Sequence, residues 1–209
     1  MRKLSYLFIV LGILLGSFPV MKNLYSYYWQ EKLLSEIEVI EIQEDDIEYN
    51  YSLLNNILDE KRDVSTEETE DIIEDTKIMN QVIGRIEIPK IKLSLPILEG
   101  TSSSNLNKGT GHLTGTNLPG EVGNVVIAAH RGYSYGKLFN RLEELDIGDD
   151  IIINYSNKNY QYKVYKTMVV EPADISVLNQ NSKDKVLTLI TCTPLGEPTH
   201  RFIVHAVME

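Results

Sequence analysis

The sequence predicts an all-β fold, a closed or nearly closed β-barrel, and two observations carry this prediction. From Val82 to Glu209, short runs of β-branched and aromatic residues follow one another over 128 residues. Turn-forming segments separate these runs, for example Asn117 to Gly120 and Asp146 to Asp149. Seven or eight short strands in a segment of this size are typical of a barrel, which leaves few sheet edges unpaired.

Seven runs have the length and composition of β-strands. They are Val82 to Ile88, Ile91 to Leu98, Val125 to His130, Ile151 to Tyr155, Tyr160 to Val170, Val186 to Cys192 and Phe202 to Met208. Only two segments predict short helices, Thr101 to Leu106 and Lys137 to Leu145.

Charge divides the chain into three segments. Residues 1–29 carry a net charge of +3, residues 30–80 of −13 and residues 81–209 of zero. We expect one folded domain in residues 81–209, preceded by two segments of different character. No basic stripe is present in the sequence, so nucleic acid is excluded as a partner.

The N-terminal segment predicts a transmembrane helix. An uncharged run of 18 residues, Leu4 to Met21, follows Arg2 and Lys3 and is near the minimum length that spans a bilayer. Aromatic residues from Tyr25 to Trp29 suit the membrane interface. We therefore expect residues 1–29 to be a cytoplasmic tip and signal anchor in the cell membrane, with the rest of the chain extracellular. A cleaved signal peptide is the alternative.

Residues 30–80 predict a solvated, acidic extracellular stalk. The segment has many carboxylates and little strand-like alternation, which is typical of a chain that buries no core. Leu33, Leu34 and Ile37 have helical spacing, so the first part is expected to prolong the membrane helix. An alternative is that the acidic residues bind a cation or a cell-wall component.

Cys192 is the only cysteine, and its position predicts a nucleophile. It ends the apolar run from Val186, and Pro194 then breaks the strand, so the thiol is expected where a strand opens into a loop. A buried, inert thiol is the alternative. One cysteine excludes an internal disulfide and multi-cysteine metal sites. The acids between Glu143 and Asp174 lack the spacing of a calcium loop, so no metal or cofactor is predicted.

Arg201 and His130 are the predicted partners of Cys192. Arg201 opens the next apolar run, and if the two runs pair as a hairpin, it lies beside Cys192 at one end of the sheet. A guanidinium there favours the thiolate and supplies donors to an oxyanion. His130 follows another apolar run, Val125 to Ala129, in the same manner.

These segments resemble the sortase family, cysteine transpeptidases of Gram-positive bacteria. The resemblance rests on Thr188 to Cys192, Ala128 to Gly132 and Arg201, together with Gly84 to Ile91, Gly109 to His112 and Leu118 to Gly120, and covers about residues 82 to 209. It implies an eight-stranded barrel in residues 81–209 and cleavage of a Leu-Pro-x-Thr-Gly type sorting signal between Thr and Gly. The substrate protein that carries this signal would first form a thioester with Cys192 and would then be joined to a cell-wall (peptidoglycan) precursor amine.

The resemblance also implies roles for single residues. His130 would move protons to the leaving amine and from the incoming amine, and Arg201 would stabilise the oxyanion. Candidate substrate-binding residues are Thr191, His112, Ile175, Val177 and Leu178; for His112 the alternative is a plain polar contact. Class D is the expected group, because the chain stops directly after the last strand. The alternatives are a pilin-polymerising sortase, a secreted cysteine protease and a non-catalytic anchored domain.

Overall fold

A closed barrel of eight strands forms the centre of the computed structural model, which describes residues 28, 32, 47–59, 81–132, 137–179 and 182–209. The strands are β1 (Val82–Ile88), β2 (Leu93–Glu99), β3 (Thr110–His112), β4 (Gly123–Ala128), β5 (Asp150–Tyr155), β6 (Lys158–Val170), β7 (Lys185–Thr193) and β8 (His200–Met208). The predicted eight-stranded all-β barrel is confirmed.

The order of the strands brings three chain segments to one rim of the barrel. Around the barrel the order is β1, β2, β3, β4, β7, β8, β6 and β5, and β5 pairs with β1 to close it. β4 and β7 are parallel, so both end at the same rim, while β8 is antiparallel to β7 and begins there. Side chains at the ends of β4 and β7 and at the start of β8 therefore meet.

Both faces of the central strands are buried, because alternate residues enter two different apolar clusters. In β4, Val125 and Ile127 point into the barrel interior, whereas Val126 and Ala128 belong to a second cluster on the outer face. Cys192 belongs to the second cluster as well. The uninterrupted apolar runs of the sequence follow from this double burial.

A helix from the acidic segment covers the second cluster. α1 (Ile47–Asp59) buries Tyr51, Leu54 and Leu58, which are spaced three and four residues apart on one side of the helix. The predicted solvated stalk over residues 30–80 is therefore wrong for residues 47–59. Burial of these three side chains stabilises the packing of α1 on the barrel by roughly several kcal/mol, which is enough to hold a short helix there.

The short elements differ from the sequence prediction in detail. α2 (Ser103–Lys108) forms where a helix is predicted and is capped by Ser102, whose hydroxyl accepts a hydrogen bond from the Asn105 amide. The predicted helix Lys137 to Leu145 contains only one 3₁₀ turn in its described residues, Leu142–Glu144. β3 has three residues and no alternating pattern long enough to predict it.

The predicted transmembrane run, Leu4 to Met21, lies outside the described residues. Within the ranges that the structure describes, none of the helices combines the length and the apolar character needed to cross a bilayer.

Candidate active site

Cys192 and Arg201 lie directly opposite each other in the β7–β8 hairpin, as the sequence predicts. The pairing continues from Val186 and Val207 up to Thr193 and His200 without a register shift. Cys192 is 6% exposed and Arg201 is fully buried. A thiol and a guanidinium are thus fixed side by side at the rim of the barrel.

The register of β4 against β7 places His130 beside the same pair. Ala128 pairs with Ile190, and the amide of Ala129 donates to the Ile190 carbonyl at 3.1 Å. Two residues further along both chains, His130 follows Ala128 as Cys192 follows Ile190. Three groups that are far apart in the sequence therefore stand on three neighbouring chain segments at one rim.

Thr191 holds this arrangement together from inside the sheet. Its side chain is fully buried, and its hydroxyl donates to the Ala129 carbonyl at 2.9 Å. The bond joins the end of β7 to the residue that precedes His130. The Thr191 hydroxyl therefore bonds to the segment that leads into His130 and has no exposed surface to offer a substrate.

α1 occupies the space in front of the thiol and the guanidinium. Arg201 donates from Nε to Asn55 Oδ1 at 2.9 Å and from Nη2 to Asp59 Oδ1 at 2.6 Å. The thiol of Cys192 is 3.5 Å from the Leu58 carbonyl oxygen, which accepts its hydrogen. The helix therefore accepts hydrogen bonds from the guanidinium and from the thiol.

Three of the predicted substrate-binding residues, Ile175, Val177 and Leu178, lie beside α1 in the loop between β6 and β7, here called the groove loop. Val177 and Leu178 are 2% and 6% exposed and belong to the cluster that contains Cys192, whereas Ile175 is 46% exposed. Polar contacts also join this loop to the helix. Asn55 Nδ2 donates to the Pro172 carbonyl at 2.7 Å, and the Tyr51 hydroxyl lies 3.5 Å from the Asp174 carbonyl.

A buried hydrogen-bond chain fixes the back of this loop, and the sequence analysis does not predict it. Asn124 Nδ2 donates to the Val177 carbonyl at 3.1 Å, and Asn124 Oδ1 accepts from the Thr188 hydroxyl at 2.8 Å. His205 Nδ1 is 2.9 Å from the same hydroxyl. The conformation of the groove loop is therefore set from within the barrel wall.

His112 lies in a buried polar network of its own. Its Nδ1 is 2.8 Å from Glu99 Oε2, and its Nε2 is 3.0 Å from the Thr116 hydroxyl. Thr114 donates to the other oxygen of Glu99 at 2.7 Å. The His112 ring is 1% exposed, so it offers no surface to a bound peptide in this structure.

The sequence matches the family model of the sortase domain over residues 86–209. The chain belongs to the sortase family. It is 33% identical to Sortase A of Bacillus anthracis over 202 residues, which cover 95% of this chain and 89% of that protein. It is 35% identical to Sortase D of Bacillus subtilis over 128 residues, 60% of this chain and 63% of that protein.

Among solved structures, a Sortase D5 transpeptidase of Clostridium perfringens aligns with a TM-score of 0.58 at 34% identity, over 66% of this chain and 90% of that one. The predicted sortase identity is confirmed, and the similarity to Sortase D is consistent with the expected class D. Sortases are cysteine transpeptidases, and this sortase has a thiol, a histidine and an arginine at one rim of its barrel.

The sequence analysis missed the residues through which α1 contacts this sortase site, namely Asn55, Leu58 and Asp59. A signal was present in the sequence, because Tyr51, Leu54 and Leu58 form an apolar stripe at helical spacing. The carboxylates of the surrounding segment conceal it in a composition-based analysis.

Proposed function

We propose that this sortase cleaves a Leu-Pro-x-Thr-Gly type sorting signal between Thr and Gly and joins the Thr carboxyl group to a cell-wall precursor amine. The Cys192 thiolate attacks the Thr carbonyl carbon, and the Thr–Gly bond breaks to leave a thioester on sulfur. His130 gives a proton to the departing Gly amine. It then removes a proton from the incoming amine, which attacks the thioester and releases the thiol.

Arg201 is proposed to stabilise the charge that develops on the carbonyl oxygen. Arg201 pairs directly with Cys192, so its N–H donors lie on the residue beside the sulfur that would carry the tetrahedral intermediate. The direct pairing of Cys192 with Arg201 is the single observation that carries the proposed function.

The proposed cycle requires α1 to leave the cleft before a substrate binds. Leu58, Asn55 and Asp59 contact the thiol and the guanidinium directly. A sorting signal and the helix would therefore compete for the same donors and the same apolar wall.

The location proposed for the enzyme is the outer face of the cell membrane. The basis is sequence alone, namely the uncharged run Leu4 to Met21 after two basic residues. Sorting-signal proteins and a peptidoglycan precursor would be its partners there, with no cofactor required by the chemistry.

One observation favours a second candidate, a pilin-polymerising sortase whose acceptor is a lysine side chain. Such enzymes often carry a lid before the barrel, and α1 covers the cleft here. The two candidates share the acyl-enzyme and differ only in the acceptor.

The experiment is turnover of a quenched sorting-signal peptide, followed by mass spectrometry of the products. Transfer predicts a peptide–amine adduct when a wall-precursor amine is added, whereas a secreted cysteine protease would give only the hydrolysed acid. An adduct only with a lysine-containing pilin peptide would favour the second candidate. Cleavage that persists in Cys192→Ala would contradict all of these mechanisms and leave an inert thiol.

A further inference from the structure

An ionic cluster beside the thiol joins three segments of the rim and is not used by the proposed chemistry. Arg131 contacts both carboxylate oxygens of Glu143, with Nη2 to Oε2 at 2.7 Å. Arg131 Nη1 also donates to the Thr193 hydroxyl at 2.9 Å and lies 3.5 Å from the Cys192 carbonyl. The Thr193 hydroxyl in turn donates to Glu143 at 2.7 Å.

Each member of the cluster is attached to a segment that matters for the proposed catalysis. Arg131 follows His130, and Thr193 follows Cys192. Glu143 lies on the 3₁₀ turn Leu142–Glu144, close in sequence to Phe139, whose amide donates to the His130 carbonyl at 3.2 Å. The cluster therefore links the segment that carries the imidazole of His130 to the segment that carries the sulfur of Cys192.

We propose that Arg131, Glu143 and Thr193 form a positioning clamp, which holds the His130 segment against the Cys192 segment while Glu143 cancels the charge of Arg131. This proposal rests on the proposed function, in which His130 and Cys192 act together. The three residues are positioning residues, because each acts through its neighbour and none is assigned to the substrate.

The clamp needs a planar, forked cation with a carboxylate behind it. Nη2 of the guanidinium donates to Glu143. Nη1 contacts Glu143, the Thr193 hydroxyl and the Cys192 carbonyl. A lysine ammonium is a point charge and cannot span these acceptors at once. The Arg131 side chain is only 13% exposed, so its charge is poorly screened by water.

Glu143 is charged under the conditions in which the clamp has to work. Partial burial alone would raise the pKa of its carboxyl group, but the hydrogen bonds from Arg131 and Thr193 outweigh burial and lower the pKa. Glu143 thus remains an anion near neutral pH and balances Arg131.

Other charged groups also lie at this rim and contribute to the electrostatic potential around Cys192 and His130. Arg201 on β8 faces it together with Asp59 of α1. His200, at the start of β8, lies 3.2 Å from Glu171 in the loop after β6. Without Glu143, Arg131 would be an uncompensated cation next to Cys192 and His130. Such a cation favours thiolate over thiol and disfavours imidazolium.

The test uses Glu143→Gln in the full chain, which keeps the shape of the side chain and removes its charge. We expect kcat for the sorting-signal peptide to fall about tenfold with KM within twofold. The pH profile of kcat/KM should move to lower pH by about half a unit. In the double variant Arg131→Gln/Glu143→Gln the profile should return to the wild-type position, while kcat stays reduced because the clamp is gone.

Glu144→Gln is the matched control, since Glu144 lies on the same 3₁₀ turn and pairs with Arg141 at 2.6 Å. It should leave both kcat and the profile unchanged. A Glu143→Gln enzyme with the wild-type profile, or a double variant that keeps the shift, would overturn the clamp. Alkylation of Cys192 by iodoacetamide across the same pH range gives the same comparison without substrate. It therefore tests the clamp even if the peptide is not turned over.

Discussion

Arg201 donates to Asp59 at 2.6 Å while it lies directly opposite Cys192 across the β7–β8 hairpin. The guanidinium that is proposed to stabilise the oxyanion is thus engaged by the last residue of α1. Asn55 takes a second donor of the same side chain at 2.9 Å. In the proposed mechanism the described conformation is therefore a closed one, because the helix holds the groups that the substrate would contact.

Weakening the contact between Asp59 and Arg201 should open the cleft. In Asp59→Ala, the apolar face of α1 still packs on the barrel, so the helix is loosened and not released. A charged hydrogen bond of this kind contributes on the order of 1 kcal/mol at a half-exposed carboxylate, which corresponds to about a fivefold change in the open fraction. We expect the rate of Cys192 alkylation by iodoacetamide to rise by about that factor.

Glu48→Ala is the control for this experiment. Glu48 is an exposed acid in the first turn of the same helix, roughly 16 Å along the axis from Asp59. Its replacement removes the same charge without touching the Arg201 contact. Equal alkylation rates in wild type, Asp59→Ala and Glu48→Ala would show that α1 does not limit access to the thiol.

Replacing Arg201 by lysine should separate charge from geometry. Lysine retains the positive charge but loses the fork that can serve an oxyanion. In the Asp59→Ala background, where α1 is no longer held by its ion pair, Arg201→Lys should lower kcat about 100-fold, as expected for the loss of a preorganised oxyanion donor. Thermal unfolding would verify that the protein folds. A kcat within threefold of the parent would remove Arg201 from the proposed oxyanion role.

The barrel and the rim residues could be predicted because the physical signals are local. Runs such as Val186 to Cys192 are long enough and sufficiently β-branched to define strands, and a short loop containing Pro194 and Gly196 makes a hairpin with Phe202 to Met208 the simplest pairing. Once the hairpin is assumed, the position of Arg201 opposite Cys192 follows from strand geometry alone. The structure confirms that pairing.

The rest depends on contacts that are distant in sequence. The packing of α1 joins Leu58 to Cys192 across 134 positions, and nothing in a strongly acidic segment indicates which surface its apolar stripe covers. The burial of His112 likewise depends on Glu99 from β2, which local patterns do not pair with it. Local patterns therefore left His112 open between a substrate-binding residue and a plain polar contact, and the structure shows it buried beside Glu99.

The pair of Glu99 and His112 should be a determinant of stability. Both side chains are at most 2% exposed, so removing one partner leaves polar groups buried without compensation. Glu99→Gln should lower the free energy of unfolding in urea by about 3 kcal/mol. Glu87→Gln is the control: Glu87 pairs with Arg85 at 2.9 Å on the surface, where a loss below about 1 kcal/mol is expected.

The same pair also tests the substrate-binding hypothesis for His112. His112→Gln should lower stability and leave the KM for a sorting-signal peptide within twofold of wild type, measured well below the unfolding temperature. A KM that rises more than tenfold in a stably folded His112→Gln protein would instead support contact with substrate.

Acid pH should destabilise the protein through His205. Burial, together with the nearby charge of Lys166, lowers the pKa of His205 from 6.5 to about 4. Between these two values the unfolded chain binds a proton that the folded ring does not, so stability is lost as the pH falls through this range. The loss is complete below about pH 4 and amounts to about 2 kcal/mol once the partial exposure of the ring is discounted.

His205→Asn is the informative variant, because an amide can replace Nδ1 in the 2.9 Å contact with the Thr188 hydroxyl without titrating. Urea unfolding of both proteins at pH 7.5 and pH 4.5 should show a smaller decrease for the variant, since carboxylates elsewhere titrate equally in both. If the two proteins lose the same free energy of unfolding on acidification, His205 is not the group responsible.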